Sequence, residues 1–511
     1  MRTKKIALNI LCDILPYILI GIVGLIKVNF LIKYIGDVGN GYYQVINQII
    51  SYVFLAQAGF GDAVIYALYK PFAEKNKHDI NAIYSGARKV FKIIGLVILG
   101  LIILVSGALY LFYGFEEGFR NSAIICFAII ASSYLISYFG KTQTYMTVLS
   151  AAQEKYIFSM VFNSVKLACD IAIVYVTYRF QTLEAIAITI LIAKIIEEII
   201  MRIVVSRKYK WLKEIDEKNT SMVGMMKDLI WVQIGFLMLN NIDSILLMGF
   251  VGPVVVSIYT SYNFVLRYLN EVASRVELGA VYSFGNVFAQ KEDEKVFPLF
   301  KEFLMLFIIL GFGMSLTFLL GIRSFVTVWI NEANYILDYL TIVFFSLSLF
   351  LNIIYYPLLA LVNANGLFKN NKRHTFICAF TNLILSIILI IPFGMNGILL
   401  ATAFAFLINI FLKTRLISIK VLETIKHSTL IKYYVISIVC YILAAILLYK
   451  PEMIILSNTT GLLSCIIMLL VVFIVITLLI FSILYLFNED TRKLFDRIIG
   501  LLKNFVKKLK K

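Results

Sequence analysis

Long apolar segments alternate with short polar ones along nearly the whole chain, and this pattern predicts an all-α integral membrane protein. An α-helix needs about 20 apolar residues to cross roughly 30 Å of hydrocarbon. Fourteen segments meet or approach that length, so we expect about 14 transmembrane helices. Their predicted ranges are 8–31, 43–68, 93–113, 121–140, 157–178, 183–205, 229–250, 254–284, 297–320, 337–362, 376–393, 397–417, 433–449 and 459–486.

Basic residues concentrate in alternate gaps between these spans. With the amino terminus inside, the gaps on the inner side hold 37 of the 47 Lys and Arg. Because basic residues in short loops mark the cytoplasmic side, both termini are predicted to be cytoplasmic. Twelve spans would satisfy the same rule. The net charge of +17 belongs mainly to these loops, so nucleic-acid binding is not predicted.

A faint internal repeat predicts how the spans are grouped. The segment from Tyr42 to Lys75 resembles the segment from Tyr259 to Lys291 at a shift of 217 residues. Since this shift corresponds to six spans, it predicts two six-helix lobes of the same orientation. The predicted parts are an N-terminal lobe (1–205), a cytoplasmic linker (206–228), a C-terminal lobe (229–417), two accessory helices (433–486) and a basic amphipathic tail (487–511) on the anionic inner leaflet.

Composition and loop lengths exclude several classes of protein. A chain with 61% hydrophobic and 15% charged residues could not cover itself as a soluble protein of this length. The predicted outer loops are too short for the active site of a sugar polymerase or membrane glycosyltransferase. No phosphate-binding loop is present, and the six cysteines all lie within spans. We therefore predict a transporter that has no cofactor and no metal site.

Ionisable side chains inside the spans are the candidate functional residues, because a charge at mid-bilayer usually faces a cavity or a partner. Milder polar residues follow them at helical spacing on spans 1, 2, 5 and 8, which predicts a shared aqueous interior. The predicted substrate-binding residues are Lys27, Lys166, Lys194, Arg267, Asn263, Asn270, Gln44 and Gln48, and the predicted ion-coupling residues are Asp243 and Asp170.

The excess of basic over acidic groups in this set favours an anionic ligand such as a pyrophosphate, which Lys and Arg bind by charge-assisted hydrogen bonds. Structural alternatives exist. Lys166 and Asp170 are four residues apart and could neutralise each other, as could Lys194 with Glu197 or Glu198. Lys27 could extend to the outer interface. Arg267 and Asp243 have no obvious partner on their own helices.

Three segments near the amino terminus carry a family resemblance. Residues 34–43 (YIGDVGNGYY), 58–64 (AGFGDAV) and 69–75 (YKPFAEK) resemble the first hairpin of bacterial polysaccharide and oligosaccharide flippases. These flippases belong to the multidrug/oligosaccharidyl-lipid/polysaccharide (MOP) exporter superfamily. The length and the fourteen spans are similar across essentially the whole chain.

The resemblance implies a V-shaped, MATE-like pair of six-helix bundles whose central cavity opens alternately to each side. It implies a bacterial cell-membrane protein that moves an undecaprenyl-pyrophosphate-linked oligosaccharide outward beside a polysaccharide polymerase and export machinery. Lys27 and Arg267 would be cavity cations, one in each lobe, and the accessory helices would shape a lipid groove. The alternatives are a lipid-linked peptidoglycan-precursor flippase and a MATE-type drug/cation antiporter, which would prefer an acidic cavity.

Overall fold

The computed structural model describes residues 2–57, 59–112, 116–220, 223, 242–458 and 461–509, and these residues form helices and connecting segments with no β-strand. The all-α fold class is therefore confirmed. The chain forms two compact units, Met1–Thr260 and Ser261–Lys511. The predicted division at 205 and 229 stays a prediction, because most of residues 221–241 lie outside the described ranges.

The first unit is built from eight described helices and the beginning of a ninth. A 3₁₀ turn, Phe54–Gln57, separates α1 from α2. The helices are α1 (Arg2–Val53), α2 (Phe60–Glu74), α3 (Lys77–Phe112), α4 (Glu117–Phe139), α5 (Thr142–Ala151), α6 (Lys155–Phe180), α7 (Leu183–Lys208), α8 (Asp243–Phe250) and the first turns of α9 (Pro253–Ala289).

The first two predicted spans are joined in α1, which corrects the expected loop between residues 31 and 43. A single residue, Gly36, interrupts the helix with φ 84° and ψ 169°. Glycine adopts this backbone conformation without steric cost, so one residue replaces the expected loop. The second predicted span also ends earlier than expected, at Val53, because the 3₁₀ turn and α2 follow it.

The second unit contains the rest of α9 and eight further helices. Its centre is α10, whose residues are mostly buried between α11, α16 and α17. By contrast, α16 buries only Cys465 fully. The remaining helices are α10 (Val296–Trp329), α11 (Tyr339–Ala364), α12 (Phe368–Phe393), α13 (Met395–Lys420), α14 (His427–Leu447), α15 (Tyr449–Asn458), α16 (Leu462–Phe487) and α17 (Glu489–Leu509).

Ten helices of the described ranges are long and apolar enough to cross a membrane, four fewer than the predicted spans. The second predicted span is merged with the first in α1, and most of the seventh (229–250) lies outside the described residues. The sixth and eighth correspond to α7 and α9, which are helical over the expected ranges but are rich in charged side chains. Two of the four missing spans are therefore explained by the polar content of α7 and α9, one by the merger in α1 and one by the range of the described residues.

The segment that follows α7 is held against α3. Asn81 donates a hydrogen bond to the Trp211 carbonyl (3.2 Å), and its side-chain oxygen accepts one from the Lys213 amide (3.2 Å). The Asn219 amide donates to the Ala82 carbonyl at 3.1 Å. Residues 209–219, which we call the strap, were predicted only as a cytoplasmic linker. They form a docked segment of the first unit.

Arg88 connects the strap to the junction between α4 and α5. Its Nε atom lies 2.7 Å from the Glu214 carboxylate, and its guanidinium also donates to the Gly140 carbonyl. The Arg88 side chain is only 9% exposed. Arg88 lies on α3 and donates both to the strap and to the α4–α5 junction, so these three segments are packed together.

The carboxyl-terminal tail forms a helix, as the amphipathic pattern predicted. Two ion pairs attach α17 to the start of α10, Lys301 to Asp490 (2.7 Å) and Arg497 to Glu302 (2.9 Å). Asp490 and Glu302 are nearly buried. The beginning of the tail is therefore held by protein contacts, and its predicted contact with anionic lipid stays a prediction.

We predict that Gly86→Ala displaces the strap. A Cβ atom at Gly86 would overlap the carbonyl oxygen of Asn219, so backbone must move, at a cost of about 1–3 kcal/mol of unfolding free energy. Limited trypsin digestion of the purified protein should cleave faster after the exposed Lys213. Gly100→Ala is the matched control, because a Cβ atom at Gly100, on the same helix, would have open space within 4 Å. Equal cleavage of both variants would contradict this packing.

Candidate polar sites in the two units

A cluster of one aspartate and two lysines joins α1 to α6. The Lys27 ammonium lies 2.6 Å from Asp170 Oδ1, and the Lys166 ammonium lies 3.0 Å from Asp170 Oδ2. The Asp170 side chain is 4% exposed, Lys27 is 16% exposed and Lys166 is 43% exposed. We call these three residues the Asp170 cluster.

The contacts of the Asp170 cluster bear on two structural alternatives, the pairing of Lys166 with Asp170 and the extension of Lys27 to the outer interface. Lys166 and Asp170 do pair along one helix, but Lys27 reaches the same carboxylate from α1. Two ammonium groups therefore share one carboxylate, which leaves a formal charge of +1. Lys166 is the more accessible of the two lysines, so it is the better placed to meet an anion that enters the cluster.

Further polar side chains lie on the second half of α1. Gln44 Nε2 donates to Asn40 Oδ1 at 3.3 Å, and Asn40 Nδ2 donates to Ser257 Oγ in the first turn of α9 at 2.6 Å. Gln48 lies one turn further along and is buried, with 8% exposure. These amides fix α1 against the beginning of α9 inside the first unit.

Lys194 lies at the edge of a cavity of about 370 Å³ in the first unit. Its ammonium lies 2.7 Å from Glu197 Oε2. Glu198 has a different role, because it accepts hydrogen bonds from the start of α5 and pairs with Arg202. We call this space the Lys194 cavity; it is lined by Asn47, Ile50, Ser51, Phe54, Gln57, Tyr134, Ser137, Tyr138, Thr142, Gln143, Phe158, Phe162, Lys194 and Glu197.

Asp243 stands at the start of α8. It is 8% exposed and accepts a hydrogen bond from the Tyr259 hydroxyl at 2.7 Å. Tyr259 lies in the first turns of α9, so this contact joins α8 to α9 within the first unit. The ion-coupling role of Asp243 stays a prediction.

The remaining predicted residues lie on α9 in the second unit. Asn270 Oδ1 accepts a hydrogen bond from Asn352 Nδ2 of α11 at 3.0 Å. Arg267 is exposed, and within the described part of the chain its guanidinium makes no hydrogen bond or ion pair. Asn263 is half-buried. Lys27 belongs to the first unit and Arg267 to the second, and their role as cavity cations stays a prediction.

An apolar cavity of about 350 Å³ lies between α9, α10 and α16 in the second unit. Thr317 is the one polar residue among those that line it. α16 belongs to the predicted accessory pair, and the expectation that this pair shapes a lipid groove stays a prediction. It is lined by Val265, Leu269, Met314, Thr317, Phe318, Ile322, Phe325, Ile466, Leu469, Leu470 and Phe473.

Two further buried ionic groups were not among the predicted site residues. Lys413, which lies near the end of the predicted span 397–417, is fully buried on α13 and donates to Asn371. Arg323 pairs with the fully buried Glu452 at 3.1 Å. Burial raises the pKa of Glu452, and Arg323 opposes that shift. Both pairs join residues distant in sequence, so helical spacing could not reveal them.

Comparison with known proteins rests on the fold. No protein-family profile matches the chain, and no curated protein sequence matches it. The solved structure of the lipid II flippase MurJ in an inward closed conformation matches with a TM-score of 0.70 and 16% identity, over 93% of this chain and 99% of that one. An inward-facing multidrug-resistance MATE transporter matches with a TM-score of 0.63 and 13% identity, over 78% and 94%.

A MOP superfamily transporter from Pyrococcus furiosus, described as having a binding pocket of reversed polarity, matches with a TM-score of 0.56 and 13% identity, over 80% and 95% of the two chains. Identities this low show the fold alone. The chain thus has the fold of the MurJ and MATE structures, and ten of its described helices are long and apolar enough to cross a membrane. Within the described residues, no group of three or more His, Cys, Asp or Glu could hold a metal ion.

We predict that Asp170→Asn destabilises the protein by about 3 kcal/mol, because removing one partner of a buried ion pair leaves an uncompensated charge. Thermal unfolding of the detergent-solubilised protein, followed by fluorescence, would measure this. Lys166→Met is the control, with an expected loss below about 1 kcal/mol, since Lys166 is half exposed and Asp170 keeps Lys27. A larger loss for Lys166→Met than for Asp170→Asn would contradict the shared-carboxylate arrangement.

Proposed function

We propose that the protein is a flippase that moves an undecaprenyl-pyrophosphate-linked oligosaccharide from the inner to the outer leaflet of a bacterial cell membrane, for surface-polysaccharide biosynthesis. It works as a transporter by alternating access, with both termini in the cytoplasm. The observation that carries the proposal is the Asp170 cluster, in which two lysines share a single carboxylate on otherwise apolar helices.

The physical argument starts from the cost of that arrangement. A net positive charge among apolar helices costs free energy unless an anion compensates it. A pyrophosphate offers several oxygens that accept charge-assisted hydrogen bonds from ammonium and guanidinium groups. Lys166 is accessible enough to donate without breaking the buried pair of Lys27 with Asp170. Arg267 offers a second such group in the other unit.

The lipid part of the substrate needs an apolar surface. The apolar cavity between α9, α10 and α16 supplies one, and an isoprenoid unit placed there would exchange contacts with lipid tails for contacts with apolar side chains at little cost. The comparisons support the same interpretation, because the MurJ structure matches over 93% of this chain while the MATE transporter matches over 78%.

A peptidoglycan-precursor flippase is the second candidate, favoured by the extent of the MurJ match. The chemistry of the carrier, a polyprenyl pyrophosphate bearing sugars, is the same in both cases. A MATE-type cation antiporter is disfavoured, since the Asp170 cluster has an excess of positive charge that repels a cationic drug.

We predict that Arg267→Ala lowers glycan export at least about tenfold, because a charge-assisted hydrogen bond contributes about 1.5–3 kcal/mol. The assay is complementation of a strain that lacks its own repeat-unit flippase, with surface glycan quantified. Arg275→Ala is the matched control on the same helix, since Arg275 is exposed and pairs with Glu271 at 2.5 Å. Export at the wild-type level in Arg267→Ala would contradict the role of Arg267.

Expression of the wild-type protein in different deficient strains separates the candidate cargoes. Rescue of a strain depleted of its lipid II flippase, without rescue of surface-glycan export, would favour the precursor flippase. Increased tolerance of cationic dyes, without rescue of either strain, would favour the antiporter. Lys166→Ala should reduce export in whichever glycan assay the wild type rescues, and unchanged export would remove the Asp170 cluster from the proposal.

A further inference from the structure

The ammonium of Lys194 is surrounded by groups that recognise cations. It lies 2.7 Å from Glu197 Oε2, 4.9 Å from the ring centre of Tyr134 and 5.2 Å from the ring centre of Phe162. Aromatic faces attract cations through the negative potential of the ring, and a carboxylate adds a full opposite charge. Two rings and an acid around one point are the groups that bind organic ammonium ions.

We call Glu197, Tyr134 and Phe162 the cage. The carboxylate of the cage and the lysine that it holds are largely shielded from water, and the cage adjoins the Lys194 cavity. The Lys194 side chain is 16% exposed and that of Glu197 is 7% exposed, so water screens their interaction only weakly. The Lys194 cavity provides about 370 Å³ beside it, with amide groups of Asn47, Gln57 and Gln143 in its wall. A small molecule would therefore fit next to the cage, and the cage itself would accept its cationic end if Lys194 were absent.

We propose that Lys194 is a tethered cation that occupies an organic-cation site built into this transporter fold, and that it is the residue that excludes organic cations from the Lys194 cavity. The inference does not depend on which substrate the protein carries. It differs from the sequence-based expectation that Lys194 binds the substrate directly, because the lysine is already engaged by Glu197 and two rings.

Covalent attachment explains why the Lys194 ammonium, and not a dissolved cation, occupies the site beside Glu197. The side chain is held beside the cage at an effective concentration that a dissolved cation of similar affinity does not reach. A ligand that displaced it would leave a second ammonium group unpaired in a shielded environment, which is strongly unfavourable. Glu198 offers that ammonium no alternative, since it already accepts hydrogen bonds from Lys141 and Thr142 and pairs with Arg202.

The test is binding of radiolabelled choline to the purified full-length protein, with the wild type compared to Lys194→Gln. Glutamine removes the charge and can still donate a hydrogen bond to Glu197. We expect Lys194→Gln to bind choline about tenfold more tightly than the wild type. The uncharged analogue 3,3-dimethyl-1-butanol, used as a competitor, should not distinguish the two proteins, because the gain requires a cation.

Two further variants complete the experiment. Adding Glu197→Gln to Lys194→Gln should abolish the gain, while Lys70→Gln, which removes an exposed lysine paired with Glu74 elsewhere in the first unit, should bind choline as the wild type does. Lys194→Met serves in the same assay if the glutamine variant does not purify as a folded protein. Equal choline binding by the wild type and by both Lys194 variants, whether tight or absent, would overturn the proposal, as would a gain that survives Glu197→Gln.

Discussion

The cost of placing a charge among apolar helices is the constraint on which the rest of this structure depends. Each buried ionic group described above has a partner that removes part of that cost. Lys27 and Lys166 share Asp170, Lys194 meets Glu197, and Arg323 meets Glu452. The contact of Lys27 with Asp170 joins α1 to α6, and that of Arg323 with Glu452 joins α10 to α15, whereas Lys166 and Lys194 pair with carboxylates on their own helices.

Apolar length and spacing were enough to predict the helices themselves. α6, α7, α10 and α13 all cover their predicted spans, because a stretch of about 20 apolar residues has few alternatives to a helix in lipid. The pattern failed at Gly36, where one residue with positive φ replaced a loop. At residues 209–219, within the predicted cytoplasmic linker, the pattern did not reveal the contacts with α3. Polar residues in a segment do not reveal whether their hydrogen bonds are made to water or to a neighbouring helix.

The candidate residues were predictable as a set, but their contacts were predictable only where both partners lie on one helix. The spacing of Lys166 with Asp170 and of Lys194 with Glu197 is visible in the sequence. The contact of Lys27 with Asp170 spans 143 residues, and no periodicity within one helix reveals such a pair. The same limit applies to the rings of Tyr134 and Phe162, since aromatic residues are common in apolar helices and gave no signal of their own.

Arg88 links the strap to the part of the first unit that borders the Lys194 cavity. It holds the strap through Glu214 and the α4–α5 junction through the Gly140 carbonyl. The next residues of that junction include Thr142 and Gln143, which line the Lys194 cavity. A movement of the strap that carries Glu214 away would therefore remove one partner of the guanidinium group that also binds the junction beside the Lys194 cavity.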